Sequence, residues 1–100
     1  MDNYIVKIYA RAYRDLDEIY TYIVENFKEI GVAINMIDEL EKAILSLEQF
    51  PNRGAIRHSG AYANGDHRQL FVKNYSIIYR VYKDKKEVHI VTVRYTASNF

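Results

Sequence analysis

The sequence predicts an α+β fold: an antiparallel two-helix hairpin packed on a small, mainly antiparallel sheet, in the order β-α-α-β-β-β. Three observations lead there. The first half holds two stretches whose apolar residues recur at helical spacing. The last third holds three runs rich in β-branched and aromatic residues. Between them lies a segment punctuated by Pro51, Gly54, Gly60 and Gly65. A helical hairpin with one apolar side needs a sheet to cover it, and an antiparallel sheet is the economical cover.

Residues 4–9, Tyr-Ile-Val-Lys-Ile-Tyr, have strand composition. The period then changes. Leu16, Ile19, Tyr20, Ile23, Val24 and Phe27 form one apolar stripe on a helix from about Ala10 to Phe27, with Arg14, Asp17, Glu18 and Glu25 on its other face. Gly31 breaks the pattern. A second stripe of Ala33, Ile37, Leu40, Ile44 and Leu47, flanked by Met36 and Ala43, predicts a helix ending near Gln49, because Phe50-Pro51 disfavours continuation. Residues 51–66 read as irregular. Residues 67–73 and 75–83 read as strands separated at Asn74 by a tight turn or a bulge. The hydrophilic Lys83-Asp84-Lys85-Lys86 makes a hairpin turn into a last strand over residues 87–95.

A chain of 100 residues, 49% hydrophobic and with neither repeat nor linker, is expected to be a single domain spanning 1–100. The absence of cysteine excludes a disulfide framework, a thiolate nucleophile and a cysteine-based zinc site. His58, His67 and His89 lack the spacing of a metal cluster, so neither metal nor cofactor is expected. The start has no signal-peptide pattern and no apolar run approaches a membrane span, so the expected location is the cytoplasm. Charge is divided. Residues 1–50 carry five cations against ten anions and residues 51–100 nine against three, so net charges of −5 and +6 underlie the overall +1. Such division points to a basic surface that meets something anionic.

Four pieces in order carry a family resemblance. Ala12-Tyr13-Arg14-Asp15-Leu16-Asp17-Glu18-Ile19-Tyr20-Thr21-Tyr22-Ile23 is similar to the opening helix of the RelE/ParE toxin superfamily, with its "DL–I–YI" pattern. The segment from Leu47 through Pro51 to Gly54 resembles that superfamily's helix-ending "L–P–G" element. Residues 68–81 resemble its central hairpin, and residues 88–94 match its last strand. The resemblance covers residues 4–96 and implies the toxin of a type II toxin–antitoxin pair, held inactive by a cognate antitoxin that wraps it with a flexible segment.

Two branches of that superfamily imply two targets. Members resembling RelE cut messenger RNA on the ribosome, and those resembling ParE act on DNA gyrase. Metal-free RNA cleavage needs general acid–base groups and clustered cations. The RelE branch places an arginine directly after the central-strand tyrosine, where this chain has Ser76. It places a further arginine, or a histidine–tyrosine pair, just past the last strand, where this chain has Thr96-Ala97. Those departures favour the ParE branch, a gyrase poison without enzymatic activity.

Two alternatives stay open. One is a ribonuclease with a rearranged site from Arg68, Arg80, Arg94 and Tyr95, with His67 as another proton source. It requires Arg80 and Arg94 to share a face with Arg68. The other is a degenerate toxin that only binds antitoxin. Strict strand alternation groups Ser76, Ile78 and Arg80, and on the last strand opposes Val88, Ile90, Thr92 and Arg94 to Glu87, His89, Val91, Val93 and Tyr95. Whichever target applies, Arg53, Arg57, Arg68, Lys73, Arg80, Arg94 and Tyr95 are the partner-binding candidates on the basic half, which suits an acidic antitoxin tail. The bland reading of these arginines is pairing with antitoxin or with Asp84 and Glu87. Tyr9, Tyr13, Tyr22, Tyr62, Tyr82 and Tyr95 are further contact candidates, whereas Tyr20, Tyr75 and Tyr79 read as core.

Overall fold

The computed structural model describes residues 3–98 and 100. Its elements are β1 (Ile5–Ile8), α1 (Ala10–Phe27), α2 (Ile30–Ser46), β2 (Ala55–Ile56), β3 (His67–Val72), β4 (Tyr75–Tyr82) and β5 (Glu87–Tyr95). The strands form one sheet in the order β1-β5-β4-β3-β2. All neighbours are antiparallel except β1 and β5, which run parallel in the register Ile5 to Glu87 through Ile8 to Ile90. This is the expected α+β architecture, with one added element. The segment read as irregular contains the two-residue strand β2, which pairs Ala55 with Gln69 and Ile56 with Arg68 at the sheet edge.

The hairpin turns earlier than Gly31. Lys28 adopts a left-handed conformation (φ 52°) and caps α1 by donating its N–H to the Val24 carbonyl at 2.9 Å. Gly31 then lies inside α2 rather than before it. The helix leaves its regular course at Ser46, three residues short of Gln49, through turns that return Leu47 N–H to the Ile44 carbonyl.

Ala12, Leu16, Ile19 and Ile23 of α1 meet Ala33, Leu40, Ala43 and Ile44 of α2 and the sheet residues Leu70, Tyr75, Ile77, Tyr79, Val88, Ile90 and Val93 in one buried cluster. Each of the large aliphatic chains removed from water there contributes roughly 1.5–3 kcal/mol. Two members of the predicted stripe do not join. Phe27 is 64% exposed at the far end of α1, and Tyr20, 36% exposed, lines a groove beside α2 although Ile23 beyond it is buried.

The long connection after α2 is tied down by Tyr79. Its hydroxyl donates to the Pro51 carbonyl at 2.8 Å and accepts from Gly54 N–H at 2.9 Å. Gly54 must be a glycine, since a Cβ there would stand 2.8 Å from that hydroxyl and 2.9 Å from the Gln69 carbonyl oxygen. Burial raises the Tyr79 phenol above its ordinary pKa, so it stays a neutral donor.

Candidate partner-binding site

A cleft of about 680 Å³ opens between the hairpin tip and one end of the sheet. Its floor is Ile19 and Ile23 of α1, Met36 of α2, and Tyr75 and Val93 of the sheet; Tyr22, Phe27 and Tyr95 stand at its rim. Those three aromatics are 59%, 64% and 51% exposed, an apolar concentration that free surfaces seldom keep without use. The Tyr75 and Tyr95 rings meet edge to face with centroids 5.8 Å apart. Burial, then the neighbouring Tyr22 and Tyr95, raises the Tyr75 phenol above its ordinary pKa.

Asp15 closes the cleft's inner end. β1 covers β5 only as far as Ile90, so the backbone edge of β5 is open beyond it. The Asp15 carboxylate fills that place, accepting Val93 N–H at 3.1 Å and the Thr92 hydroxyl. Arg94 Nε donates to the same hydroxyl at 3.1 Å. The aspartate of the "DL" pair therefore satisfies strand donors and orients an arginine in one arrangement.

The faces of β5 are not those of strict alternation. Ile78 pairs with Thr92 but Tyr79 pairs with Ile90, so Val91 is an extra residue. The bulge inverts the parity of the strand. Glu87 and His89 share the outer face with Thr92 and Arg94, while Val88 and Ile90 share the helix-facing side with Val93 and Tyr95.

Arg80 and Arg94 consequently lie on the outer face, opposite His89 and Ser76 respectively. Arg68 pairs with Tyr79 and lies on the helix-facing side, its guanidinium donating to the Gly54 carbonyl at 2.6 Å. The condition for one cluster of three arginines is not met. Arg80 stands 3.7 Å from Asp66 and 4.8 Å from the Tyr82 ring centroid, so its acidic neighbour is Asp66 rather than Asp84 or Glu87. Arg53 donates to Ser46 Oγ at 2.7 Å. Lys73 is exposed at the β3–β4 turn with φ 52°. Tyr95 is at the cleft rim.

Arg57 differs from the other candidates because it is only 8% exposed. It donates to the Ala61 carbonyl, to Gln69 Oε1 at 2.7 Å and to a main-chain oxygen of Phe100 at 2.8 Å. The Phe100 ring lies 4.4 Å from the Arg57 guanidinium carbon and 5.5 Å from that of Arg94.

The positions that departed from the RelE pattern are joined. Ser76 is fully buried on the outer face of β4, accepts from Gln69 Nε2 at 2.9 Å and shares a hydrogen bond of 2.7 Å with Thr96. His67 keeps company with Asn64 at 2.9 Å and with the Tyr62 ring. Burial, then the Arg80 charge, lowers its pKa and favours neutral imidazole.

Among the contact tyrosines, Tyr9 bonds His89 Nδ1 at 2.8 Å, and the Tyr82 ring packs 4.4 Å from the same imidazole. Tyr13 lies in a second groove between the helices. Asp15, Met36, Phe27, Gln69 and Phe100 were not sequence candidates. Only the chain's return through space brings them to these surfaces.

Comparison with known proteins agrees with this geometry. The model of a family described as the ParE toxin of the type II toxin–antitoxin system parDE matches residues 6–100. A structure from the chromosomal ParDE system of P. aeruginosa superposes with a TM-score of 0.75 at 26% identity, covering 92% of this chain and 95% of that one. The RelBE2 toxin–antitoxin complex of Mycobacterium tuberculosis gives 0.63 at 18% identity, covering 93% of this chain and 98% of that one. An arginine-substituted E. coli RelE toxin in the free state gives 0.62 at 14% identity over 95% and 85% of the two chains. No curated protein matches in sequence.

Proposed function

The chain belongs to the ParE toxin family of type II toxin–antitoxin systems, with an antitoxin as its partner, and from that premise we propose that it poisons DNA gyrase. The observation that carries the choice of target is the Ser76–Thr96 pair. RNA cleavage needs a cation and a proton donor open to the phosphate, and these hydroxyls are uncharged, with Ser76 buried. The division of the arginines between two sheet faces supports the same reading, since Arg68 cannot join Arg80 and Arg94 on one phosphate. The working protein is then a single cytoplasmic toxin domain that acts through contact rather than turnover. Among the described residues no helix is long and apolar enough to cross a membrane.

The cleft supports an antitoxin-docking role. Its size and aromatic rim suit side chains from one face of an amphipathic helix, and the apolar area offsets the ordering cost of a flexible segment. The seven basic-half candidates, Arg53, Arg57, Arg68, Lys73, Arg80, Arg94 and Tyr95, remain the proposed polar contacts.

A supercoiling assay with purified gyrase tests the target. Titrated toxin should inhibit supercoiling and accumulate cleaved DNA, and this inhibition should vanish when antitoxin is added. No inhibition at large toxin excess sinks the proposal. Prompt messenger RNA cleavage after induction, lost in Arg94→Ala, would favour the ribonuclease instead.

A further inference from the structure

The parallel pairing of β1 with β5 gathers a second set of polar side chains, none of which lines the cleft. Lys7 stands beside His89 in the register, and Glu87 lies two residues before it on the same outer face. The chain leaves β1 through Tyr9, whose N–H donates to the Ile90 carbonyl at 3.0 Å and whose hydroxyl returns to the His89 ring. Tyr82 closes the group from β4, its ring centroid 4.4 Å from that of the imidazole.

These contacts form a relay. Glu87 Oε1 accepts from His89 Nε2 at 2.9 Å, while Lys7 Nζ holds Oε2 at 3.0 Å. A carboxylate can only accept, so Nε2 carries the hydrogen. In the neutral ring Nδ1 is then an acceptor, and the Tyr9 hydroxyl donates to it at 2.8 Å. The side chains of Glu87 and His89 are 18% and 16% exposed, whereas Tyr9 is 41% exposed at the open end. A carboxylate, an imidazole and an accessible hydroxyl in this order are the parts of an activated nucleophile. Desolvation, then the neighbouring Tyr82, raises the Tyr9 phenol above its ordinary pKa, so its proton leaves only as a bond forms at oxygen. Arg80 and Lys85 stand 4.8 Å and 5.8 Å from the Tyr82 ring centroid and place positive charge beside the relay.

We propose that Tyr9 is a nucleophile that accepts an acyl group from activated donors whose leaving group departs as an anion, with His89 as its base. As the bond from the Tyr9 oxygen to the acyl carbon forms, the phenol proton passes to His89 Nδ1. The bond from that carbon to the leaving oxygen breaks, and the leaving group carries off the electron pair. His89 then gives its proton to water, and Tyr9 is left as an aryl ester. Glu87 is a positioning residue, since it fixes the tautomer and steadies the imidazolium. The proposal does not depend on the choice of gyrase as target.

The test incubates the full chain with p-nitrophenyl acetate and locates acetyl-tyrosine by peptide mass spectrometry. Tyr13, Tyr22 and Tyr95 are 57%, 59% and 51% exposed, more than Tyr9, so accessibility alone would favour them. Tyr9 should nevertheless be acetylated roughly a hundredfold faster. His89→Gln should remove that advantage, and imidazole added to His89→Ala should restore part of it. Glu87→Gln should slow the reaction, and Glu87→Asp should recover part of the rate. Circular dichroism checks that each variant is folded. Selectivity is read on the unaltered chain, so an unfolded variant leaves that arm of the test intact. A Tyr9 rate no greater than that of the other exposed tyrosines, or one unchanged in folded His89→Gln, overturns the proposal. Neither gyrase nor antitoxin is present, so this result stands or falls separately from the supercoiling assay.

Discussion

The hydroxyls of Ser76 and Thr96 share a hydrogen bond of 2.7 Å across twenty residues of sequence, joining the middle of the sheet to the segment that follows β5. Ser76→Ala leaves Thr96 and the Gln69 amide each without one partner. The expected loss is about 1–2 kcal/mol in urea unfolding, with gyrase inhibition unchanged. Ser76→Arg should cost more, because it forces a charge into a filled site, and should not create ribonuclease activity.

Tyr79 and Gly54 predict a second, purely structural effect. Tyr79→Phe removes the hydroxyl that serves both Pro51 and Gly54, and should destabilise by about 1–3 kcal/mol. Gly54→Ala should be at least as damaging, since the new methyl meets a hydroxyl and a backbone carbonyl below 3 Å. Denaturation midpoints check both. A Gly54→Ala chain as stable as its parent would refute the crowding argument.

The cleft predicts effects of the opposite kind. Phe27→Ala and Tyr22→Ala remove exposed rings, so stability should change by no more than about 0.5 kcal/mol. Each should nevertheless weaken cognate antitoxin roughly tenfold or more, equivalent to about 1.4 kcal/mol, by calorimetric titration. A destabilised protein with undiminished antitoxin affinity would place the rings in the core instead.

Acid should destabilise the fold through two groups acting in the same direction. The hydrogen bonds from His89 and then Lys7 hold the Glu87 carboxyl below its ordinary value. A depressed folded-state pKa gives stability present above the unfolded value, near 4.5, and lost as pH falls through the folded one. His67 is also lowered, so its contribution is present above about 6.5 and declines as pH falls through its folded pKa. Unfolding midpoints should therefore drop from pH 7 towards 4. Glu87→Gln should flatten the part below pH 5, and His67→Gln the part above it.

Periodic elements with clear ends were legible in the residues. α1 runs from Ala10 to Phe27, as its single helical period predicts, and β5 from Glu87 to Tyr95, as its strand-rich composition and the hydrophilic turn before it predict. The failures have local physical causes. β2 has two residues, too few to show any alternation. Val91 inserts one residue into a strand whose composition is strand-like throughout, so nothing in it marks where parity flips. Phe27 continues the core stripe at the right spacing, yet the sheet ends before reaching it. The arginine candidates were visible as charges. Their separation on two faces, and the burial of Arg57 against Phe100, depend on contacts across more than ten residues of sequence.

Asp15 bears on what happens when the antitoxin departs. A toxin must then persist with its partner-binding surfaces bare, and an open strand edge beside an aromatic cleft invites pairing with a second chain. The Asp15 carboxylate occupies the Val93 N–H where β1 stops short. A fixed negative charge at that point both satisfies the donor and repels the carbonyls of an incoming strand. The same residue that shapes one end of the cleft thus leaves that stretch of strand edge without a free Val93 donor for a second chain to pair with.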